Sequence, residues 1–454
     1  DIDGMAMDMD AAGFFQSDRI TVDGNIVIED ATLAISSLTA EGDFDRSAQF
    51  LILDAAGTLT GEFSMIDADL PFLDLSVTYD AGQAILNAGR EGPVVPFASL
   101  GLTPNQRAVG ASFDALEMDA TGDLDDVVEQ LIFASTDQAL TAFDSASGEI
   151  YASLLAQAGN DGLRRSREAL ARARNVSGSG WGIWGGVSFS DSSIDADGNG
   201  AQVEQDDFGF DFGFDYVGDG NAWAAGISAG WRDGDLSVAD RFSAADYDAW
   251  YLSGHARYGS GGAGATFSGV ISYGQSDASV TRTLTVNALT RTAIGQADID
   301  TFSLGGEARY GVDVGGGWAI GPVVSIMHSD SDLALDDETG AGSVALTSAD
   351  ASDGQTRYGS GLFANLRSDT ALFDLAAQYV DGSSSEVGAR LAFAEGGQAP
   401  FTVLAPVADQ SGVLTSASAN VDLGNGWTIG AQVEALFGSD VDDVSGSAVL
   451  GWRF

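Results

Sequence analysis

The chain has 454 residues, 44% of them hydrophobic, and a formal net charge of −48 that comes from 67 acidic residues against 19 basic ones. This length and apolar content exclude wholesale disorder and allow two or three domains with a large core. All basic residues are arginine, and so acidic a surface argues against nucleic acid as a partner, while the absence of cysteine excludes disulfides and Cys-ligated zinc.

The chain opens with DIDGMAMDMD, which lacks the basic start and apolar run of a signal peptide, so we expect a processed or truncated product. Up to about residue 100, short extended runs such as RITVDGNIVIED and QAILNAG are separated by Gly, Asp and Asn. Such runs suit a β-sandwich or the last coils of a β-solenoid, whose edge must be capped. Gly92-Pro93 and Pro96 mark the end of this region.

Helical spacing begins after Thr103-Pro104 and continues through DLDDVVEQLIFAS and TDQALTAFDSASGEIYASLLAQA. We interpret this region as a helical connector. The residues that we expect to pack it on its neighbours are Val109, Phe113, Leu116, Leu131, Leu140, Phe143, Ile150 and Leu154.

Five of the 19 arginines then fall within eleven positions: Arg164, Arg165, Arg167, Arg172 and Arg174. Asn160 is the predicted N-cap of a helix from Asp161 to Asn175. Glu168 lies four residues from both Arg164 and Arg172, where side chains meet on a helix. At ~1.5 Å per residue this basic helix would be roughly 22 Å long.

From Trp181 onward almost every segment alternates with period two. In DFGFDFGFDY, four phenylalanines and Tyr216 share one face, and Asp and Gly share the other. Aromatic residues recur near strand ends, as the two interfacial girdles of a membrane barrel require, and the opposite face has the polar composition of a hydrated lumen. The girdle candidates are Trp181, Trp231, Trp250, Tyr258, Tyr273, Tyr310, Trp318, Tyr358, Trp427 and Trp452.

Tight links alternate with long ones, and the pattern predicts twelve strands, an even number that places both ends of the barrel on one side. The predicted strands are 181–190, 204–217, 221–232, 246–259, 264–275, 298–310, 318–328, 355–367, 371–380, 412–423, 427–437 and 444–454. The predicted long loops are 191–203, 233–245, 276–297, 329–354, 381–411 and 438–443, and we assign the ambiguous run EVGARLAFAEGGQAPFTVLAPVAD to the fifth of them.

Four stretches in this order resemble the autotransporters of type V secretion, of the monomeric classical type. They are LTGEFSMIDADLPFLDLSVTYDAGQAILNAGR, LTPNQRAVGASFDAL, FDSASGEIYAS and the terminal GSAVLGWRF. The resemblance implies a mainly β protein: a 12-stranded antiparallel outer-membrane β-barrel with an α-helix in its lumen, preceded by a short right-handed β-helix remnant. It implies a translocator in a Gram-negative bacterium that exports its own N-terminal passenger to the cell surface.

The resemblance also implies the domain boundaries. Residues 1–100 would be the end of the β-helical passenger, 101–158 the helical junction, 159–178 the pore-spanning helix and 179–454 the barrel. The helix arginines would face inward acids of the wall, in charge-assisted contacts. The candidate acids are Asp207, Asp211, Asp215, Glu307, Asp374, Asp422 and Glu434.

The partners that the resemblance implies are outer-membrane lipid and lipopolysaccharide, periplasmic chaperones and the barrel assembly machinery, which would read Leu450, Trp452 and Phe454 in the last strand. The barrel is expected to be monomeric. Some subfamilies cleave the pore helix at paired asparagines, and no Asn-Asn pair occurs in this sequence, so we do not expect self-cleavage.

One short motif indicates a metal. Asp195, Asp197 and Asn199, with Asp206 at the twelfth position, match the spacing of a calcium loop except that Asp replaces the final Glu. The competing interpretation is a solvated turn rich in Asp and Gly. No other cofactor is expected.

The two histidines, His255 and His328, both fall in predicted strands, so no Ser-His-Asp centre is supported and this segment is not expected to be an enzyme. Three alternatives stay open beside the translocator: a porin-like channel, a surface adhesin or scaffold whose stalk is the solenoid, and an enzyme whose catalytic part lies upstream of Asp1.

Overall fold

The structure is a computed structural model that describes residues 17–35, 47–90, 94–348, 351–382, 386–395, 399–406, 411–438 and 440–454. The opening run DIDGMAMDMD and the predicted break at Gly92-Pro93 lie outside these residues. No helix among the described residues is both long and apolar enough to cross a membrane.

The first region is a parallel β-solenoid. Its strands β1 (Ile20–Val22), β2 (Ile26–Val27) and β3 (Thr32–Ile35) pair in parallel with β4 (Ser47–Ala55), β5 (Leu59–Thr60) and β6 (Met65–Ala68). Ile20 pairs with Leu53, Ile26 with Leu59 and Thr32 with Met65, so each partner lies 33 residues further along the chain. A constant offset of this kind means stacked coils, and the solenoid alternative is therefore confirmed over the sandwich.

An antiparallel hairpin ends the solenoid. Strands β7 (Asp74–Asp80) and β8 (Gln83–Gly89) pair with each other, and β8 also pairs antiparallel with β4. The hairpin covers one edge of β4, as the need for a cap predicted. Just beyond β8, the buried Arg90 donates from Nε and Nη2 to the Glu117 carboxylate at 2.6 and 2.8 Å, which fixes the end of the solenoid to the next region.

Four helices follow: α1 (Pro104–Leu116), α2 (Asp123–Ile132), α3 (Thr136–Ala146) and α4 (Glu149–Asn175). Thr103 and Ser135 make capping boxes with the glutamine three residues on, which satisfies the first free N–H groups of α1 and α3. The predicted packing residues are buried, apart from a half-buried Leu140. Short 3-10 turns occur at Phe97–Ser99, Glu117–Asp119, Asp219–Asn221 and Gly342–Val344.

The predicted start of the basic helix is wrong. Helix α4 begins at Glu149, after Gly148 in the left-handed region, and runs unbroken for 27 residues across the predicted boundary between 158 and 159. Asn160 is therefore not an N-cap, and its Nδ2 donates to Gln157 Oε1 at 3.2 Å. Gly159 marks a close approach instead of a helix start, because a Cβ there would lie 2.5 Å from Gln355 Nε2.

The predicted barrel of twelve antiparallel strands is confirmed, and it closes where the last strand pairs with the first, from Val441 with Ile194 to Arg453 with Gly182. Its strands are β9 (Gly180–Ile194), β10 (Val203–Val217), β11 (Trp223–Val238), β12 (Ser243–Tyr258), β13 (Gly264–Val286), β14 (Leu289–Gly315), β15 (Trp318–Leu335), β17 (Ala351–Arg367), β18 (Ala371–Gly382), β21 (Gly412–Gly424), β22 (Trp427–Gly438) and β23 (Val441–Arg453). A small separate sheet contains β16 (Leu346–Ser348), β19 (Gly388–Phe393) and β20 (Phe401–Leu404).

Several predicted long loops are strand instead. Strands β13 and β14 stay paired up to Val286 and Leu289, around a two-residue turn at Asn287, where the sequence predicted a loop over 276–297. The predicted loop 233–245 likewise shrinks to the turn 239–242 between β11 and β12. The ambiguous run in the fifth loop contributes β19 and β20 to the small sheet.

The two ends of the barrel differ. At one end, which we call the turn end, short links join the strands; the helices and the solenoid lie at the other, the junction end. All ten predicted girdle aromatics point away from the lumen, with 37–71% of their surface exposed. Trp223 lies level with Tyr258 near the turn end, and Trp231 lies level with Trp250 eight residues further along β11. Eight residues span about 27 Å along a strand, or about 20 Å of membrane at a ~40° tilt.

The interior has two layers, and the polar lumen that the sequence predicts is confined to one of them. Beyond the girdle at the junction end, inward residues such as Val280, Leu284 and Leu333 are buried with α1–α4 in one apolar core. Toward the turn end the inward residues are serines, carboxylates and arginines around the second half of α4.

We expect a charge on the lipid-facing surface to destabilise the barrel in a way that depends on its height. Phe212 is 59% exposed and lies midway between the girdles. Phe212→Arg should lower the free energy of unfolding by about 2–4 kcal/mol, because a guanidinium at mid-membrane loses its hydration. Ile294, 53% exposed on the part of β14 beyond the girdle, is the matched control, and Ile294→Arg should cost about 1 kcal/mol or less. Urea unfolding in lipid vesicles measures both, and equal costs would contradict a membrane-embedded band.

Candidate functional site

The second half of α4 passes down the lumen, where four of its arginines meet carboxylates of the wall. Arg164 donates from Nη2 to Asp207 at 2.5 Å and forms an ion pair with Asp161, one helical turn earlier, at 2.8 Å. Arg167 pairs with Glu434 through Nε and with Asp443 through Nη2 at 2.8 Å. Each of these arginine side chains is at most 4% exposed, so the pairs are shielded from bulk water.

The last turn of α4 continues the pattern. Arg172 donates from Nε to Asp215 at 2.9 Å and lies 4.6 Å from the ring centre of Trp184. Arg174 pairs with Glu307 at 3.1 Å and lies 3.8 Å from Asp374. The wall arginine Arg309 joins those two carboxylates to each other at 2.7 and 2.8 Å.

Arg165 is different from its neighbours. Its guanidinium lies over the ring of Tyr251, 5.0 Å from the centroid, and no carboxylate in the described part of the chain lies within ion-pair distance of it. It borders a cavity of about 80 Å³ beside the helix, which Ser253 and Gln432 also line. The helix therefore leaves room in this part of the lumen for only a few waters.

The structure places five of the seven candidate acids against the helix arginines: Asp207, Asp215, Glu307, Asp374 and Glu434. Asp211 pairs with the wall arginine Arg232 at 2.9 Å instead. Asp422 is exposed at the turn end and accepts the N–H of Gly424. Glu168 contacts Arg232 at 3.6 Å, so its predicted pairing along the helix with Arg164 and Arg172 is wrong.

Sequence reasoning missed the wall arginines that hold the end of α4. Arg257 and Arg367 each donate to the carbonyl of Arg174 at 3.2 Å, and Asn420 donates to the carbonyl of Asn175 at 3.4 Å. Cations suit this position because the last carbonyls of a helix carry partial negative charge. Both arginines stand near the turn end of their strands. The sequence does not indicate this contact, because the expected partners of basic residues are acids and not helix carbonyls.

Asp443 was also missed, because it falls in a segment predicted to be a loop. It lies three residues into β23 and contacts Arg167 at 2.8 Å and Arg164 at 3.6 Å.

The residues of the predicted calcium loop have other partners. Asp197 Oδ1 accepts the N–H groups of Asn199 and Gly200 at 2.8 Å, which makes a turn, and Asn199 Oδ1 accepts the N–H of Asn105 in α1. Asp206 belongs to strand β10. Within the described ranges no three His, Asp or Glu side chains are grouped to hold a metal ion, so Asp195, Asp197 and Asp206 do not come together, and calcium binding stays a prediction.

The two histidines lie on opposite faces of the wall. His255 is buried in the lumen with Nε2 3.0 Å from Asp215 Oδ1, whereas His328 is partly exposed, with its ring nitrogens near Thr356 and Asp330. Of the predicted assembly residues, Leu450 and Trp452 lie on the outward face of β23, exposed by 50 and 38%, and Phe454 follows the strand, exposed by 65%. Their recognition by an assembly machinery stays a prediction.

A family model described as the autotransporter beta-domain matches residues 183–434, which is 252 of 454 residues. The chain belongs to the autotransporter family. It is an outer-membrane protein of Gram-negative bacteria, and its barrel is a translocator, a kind of domain that is not catalytic. A search of curated protein sequences found no match.

Solved structures of autotransporter domains are similar to this chain. The translocator domain of the autotransporter NalP from Neisseria meningitidis matches with a TM-score of 0.54 and 18% identity over 68% of this chain and 100% of that one. The beta domain of the Bordetella autotransporter BrkA gives 0.42 and 16%, over 61% and 100%. The transport unit of AIDA-I from Escherichia coli gives 0.43 and 13%, over 60% and 90%.

The ion pairs of helix α4 in this autotransporter predict that neighbouring arginines contribute differently to the stability of the folded barrel. Arg167→Met should lower stability by about 3–5 kcal/mol, because it leaves the buried Glu434 without its cation and takes from Asp443 the nearer of its two arginines. Arg165→Met should cost at most about 1–2 kcal/mol, since it removes the contact with Tyr251 but breaks no ion pair.

Thermal unfolding in detergent, followed by the heat-dependent shift of the folded barrel on unheated gels, measures both variants. Adding Glu434→Met to Arg167→Met should recover part of the loss. Equal losses for the two single variants would show that the ion pairs do not hold the helix.

Proposed function

We propose that this autotransporter exports its own N-terminal part through the barrel and keeps it at the cell surface, with α4 as the trailing segment left in the pore. The path of the chain carries the proposal. From the solenoid the chain enters the barrel at the junction end, runs down the lumen as α4, and turns into β9 at the turn end.

The lengths of the connections support the orientation. Bacterial outer-membrane barrels have short periplasmic turns and longer extracellular loops. Links such as 368–370 and 425–426 lie at the turn end, and the longest connections, including the small sheet, lie at the junction end. The turn end therefore faces the periplasm, and the solenoid is extracellular.

The ion-paired helix favours this function over a porin-like channel, since a conducting pore would have to lose buried pairs such as Arg164 with Asp207. An adhesive or catalytic activity belongs to the exported part, on the solenoid side. The barrel then serves as its anchor.

The chain contains no cysteine, so single cysteines can report the orientation. Glu62→Cys places a thiol on the exposed surface of the solenoid, and Asp369→Cys places one in an exposed turn at the turn end. A membrane-impermeant maleimide added to intact cells should label Glu62→Cys fully and Asp369→Cys only after permeabilisation. Labelling in the reverse order would contradict the proposed export.

A belt of carboxylates surrounds part of the barrel just beyond the girdle at the junction end. Outward-facing aspartates stand directly opposite one another on neighbouring strands, and each of them is exposed. The pairs are Asp191 with Asp206, Asp206 with Asp235, Asp235 with Asp246, Asp233 with Asp248, Asp248 with Asp277, Asp277 with Asp298 and Asp300 with Asp332. Like charges opposite each other destabilise a sheet.

We propose that this belt meets the phosphate groups of lipopolysaccharide through divalent cations. Its position supports the proposal: Asp233 follows Trp231 by two residues and Asp248 precedes Trp250 by two, so the carboxylates begin where the apolar band ends. Hard divalent cations prefer oxygen ligands and can bridge carboxylates to phosphates.

The double variant Asp248→Asn, Asp277→Asn tests this contact. In phospholipid vesicles with chelator it should be more stable than the wild type, because it removes a repulsive pair. In membranes that contain lipopolysaccharide and Mg²⁺ it should be less stable. Unfolding in urea measures the stability in both membranes. A double variant that is more stable than the wild type in both would exclude the bridging role.

A further inference from the structure

The junction helices fill the mouth of the barrel at the junction end. Helix α3 lies on β13, where the Thr285 N–H donates to Ser145 Oγ at 3.1 Å. Inward side chains near the tip of that strand, Leu284 and Val286, are only 2% exposed and belong to the same apolar core as α1–α4. The wall beyond the membrane therefore encloses the junction on its inner face.

The small sheet covers the junction from another side. Phe393 of β19 packs on Phe113 of α1, with ring centroids 4.8 Å apart, and on Phe401 of β20 at 5.1 Å. The side chain of Asn105 donates to the Leu404 carbonyl and accepts the Leu404 N–H, both at 2.9 Å. These two hydrogen bonds join the end of β20 to the start of α1.

Buried polar contacts fix the helices in this place. Arg282 on β13 pairs with Glu338 at 2.7 Å and donates to the Ser145 carbonyl at 2.9 Å, while the Tyr151 hydroxyl of α4 donates to Glu338 at 2.6 Å. The two charged side chains of this network are at most 1% exposed.

A second contact of this kind lies nearer the surface. Arg291 donates to the Asp123 carboxylate of α2 and thereby lowers the pKa of Asp123 to about 2. The pair thus stays ionised at neutral pH, and its contribution would be lost only as the pH falls from about 4 toward 2.

These contacts are separate from those of the pore half of α4, residues 160–175. The core around Ile150 and Leu155 is apolar, whereas the layer from Asp161 onward is held by ion pairs. We infer that the junction, α1–α3 with the first half of α4, is a permeability seal at the outer mouth, independent of the seal that the pore half of α4 makes below it.

A thiol in the lumen beside the pore half of α4, below the junction, can test this. Ser253 lies on β12 between the girdles, is 2% exposed and lines the 80 Å³ cavity. In Ser253→Cys, a bulky impermeant maleimide can arrive from outside only past the junction, and from the periplasm only past the pore half of α4.

Two backgrounds loosen one seal each. The pore-loosened background carries Arg167→Met and Arg172→Met, and the mouth-loosened background carries Phe393→Asp. Phe393→Leu is the matched control for the latter, since it keeps an apolar side chain. The gel shift of unheated samples verifies barrel folding in every variant.

In intact cells, external labelling of Ser253→Cys should stay at the wild-type rate in the pore-loosened background and rise at least tenfold when both seals are loosened. In permeabilised cells, the pore-loosened background alone should already label at least tenfold faster, which shows that the loosening worked. External labelling that rises in the pore-loosened background alone would overturn the inference, even if no mouth-loosened variant folds.

The inference rests on the proposed orientation, in which the junction end is outside. The Glu62→Cys and Asp369→Cys pair checks that orientation separately, so a failed orientation and a failed seal give different results.

Discussion

A buried guanidinium remains charged, and this fact determines how α4 sits in the barrel. Arginine cannot be deprotonated in a protein, so each buried arginine must find an anion, a carbonyl or an aromatic face. Arg164, Arg167, Arg172 and Arg174 find their carboxylates on strands on different sides of the lumen, β10, β22, β23 and β14. Rotating the helix, or sliding it by one ~5.4 Å turn, would unpair several of them together. The pairs therefore define one register of the helix in the lumen.

The girdle at the junction end is the second constraint, because the surroundings of the wall change there. Strand β13 shows the change within one run. On the turn-end side its outward residues are Phe267, Ile271 and Tyr273 and its inward ones include Ser268 and Ser272. Beyond the girdle the outward residues are Asp277, Ser279 and Thr281, and the inward ones include Val280 and Leu284. Lipid outside requires an apolar outer face, whereas water outside leaves the apolar residues to pack within.

This inversion explains what the sequence could and could not predict. The twelve strands were predictable because outward aromatics alternate with Gly and Asp, as in the run from Phe208 to Tyr216. The outer parts of β13 and β14 could not be predicted in this way. Their apolar residues change from the outward to the inward face beyond the girdle, so the lipid-facing alternation ends there. The start of α4 was missed because Asn160 is a favourable N-cap residue, whereas the helix begins at Glu149 and continues through it. No sequence pattern indicates that Arg257 and Arg367 donate hydrogen bonds to the carbonyl of Arg174.

The absence of lysine fits the same physics. Arg309 donates from Nε to Glu307 and from Nη1 to both oxygens of Asp374, and Arg282 donates to both oxygens of Glu338 and to the Ser145 carbonyl. A guanidinium can do this because its five N–H groups point in fixed directions from a planar fork, while an ammonium gathers its donors on one atom. A lysine at either position would leave buried acceptors unpaired, and each unpaired acceptor costs about 1–3 kcal/mol or more when charged. In a barrel whose interior is joined by bridging cations of this kind, arginine and lysine are not equivalent.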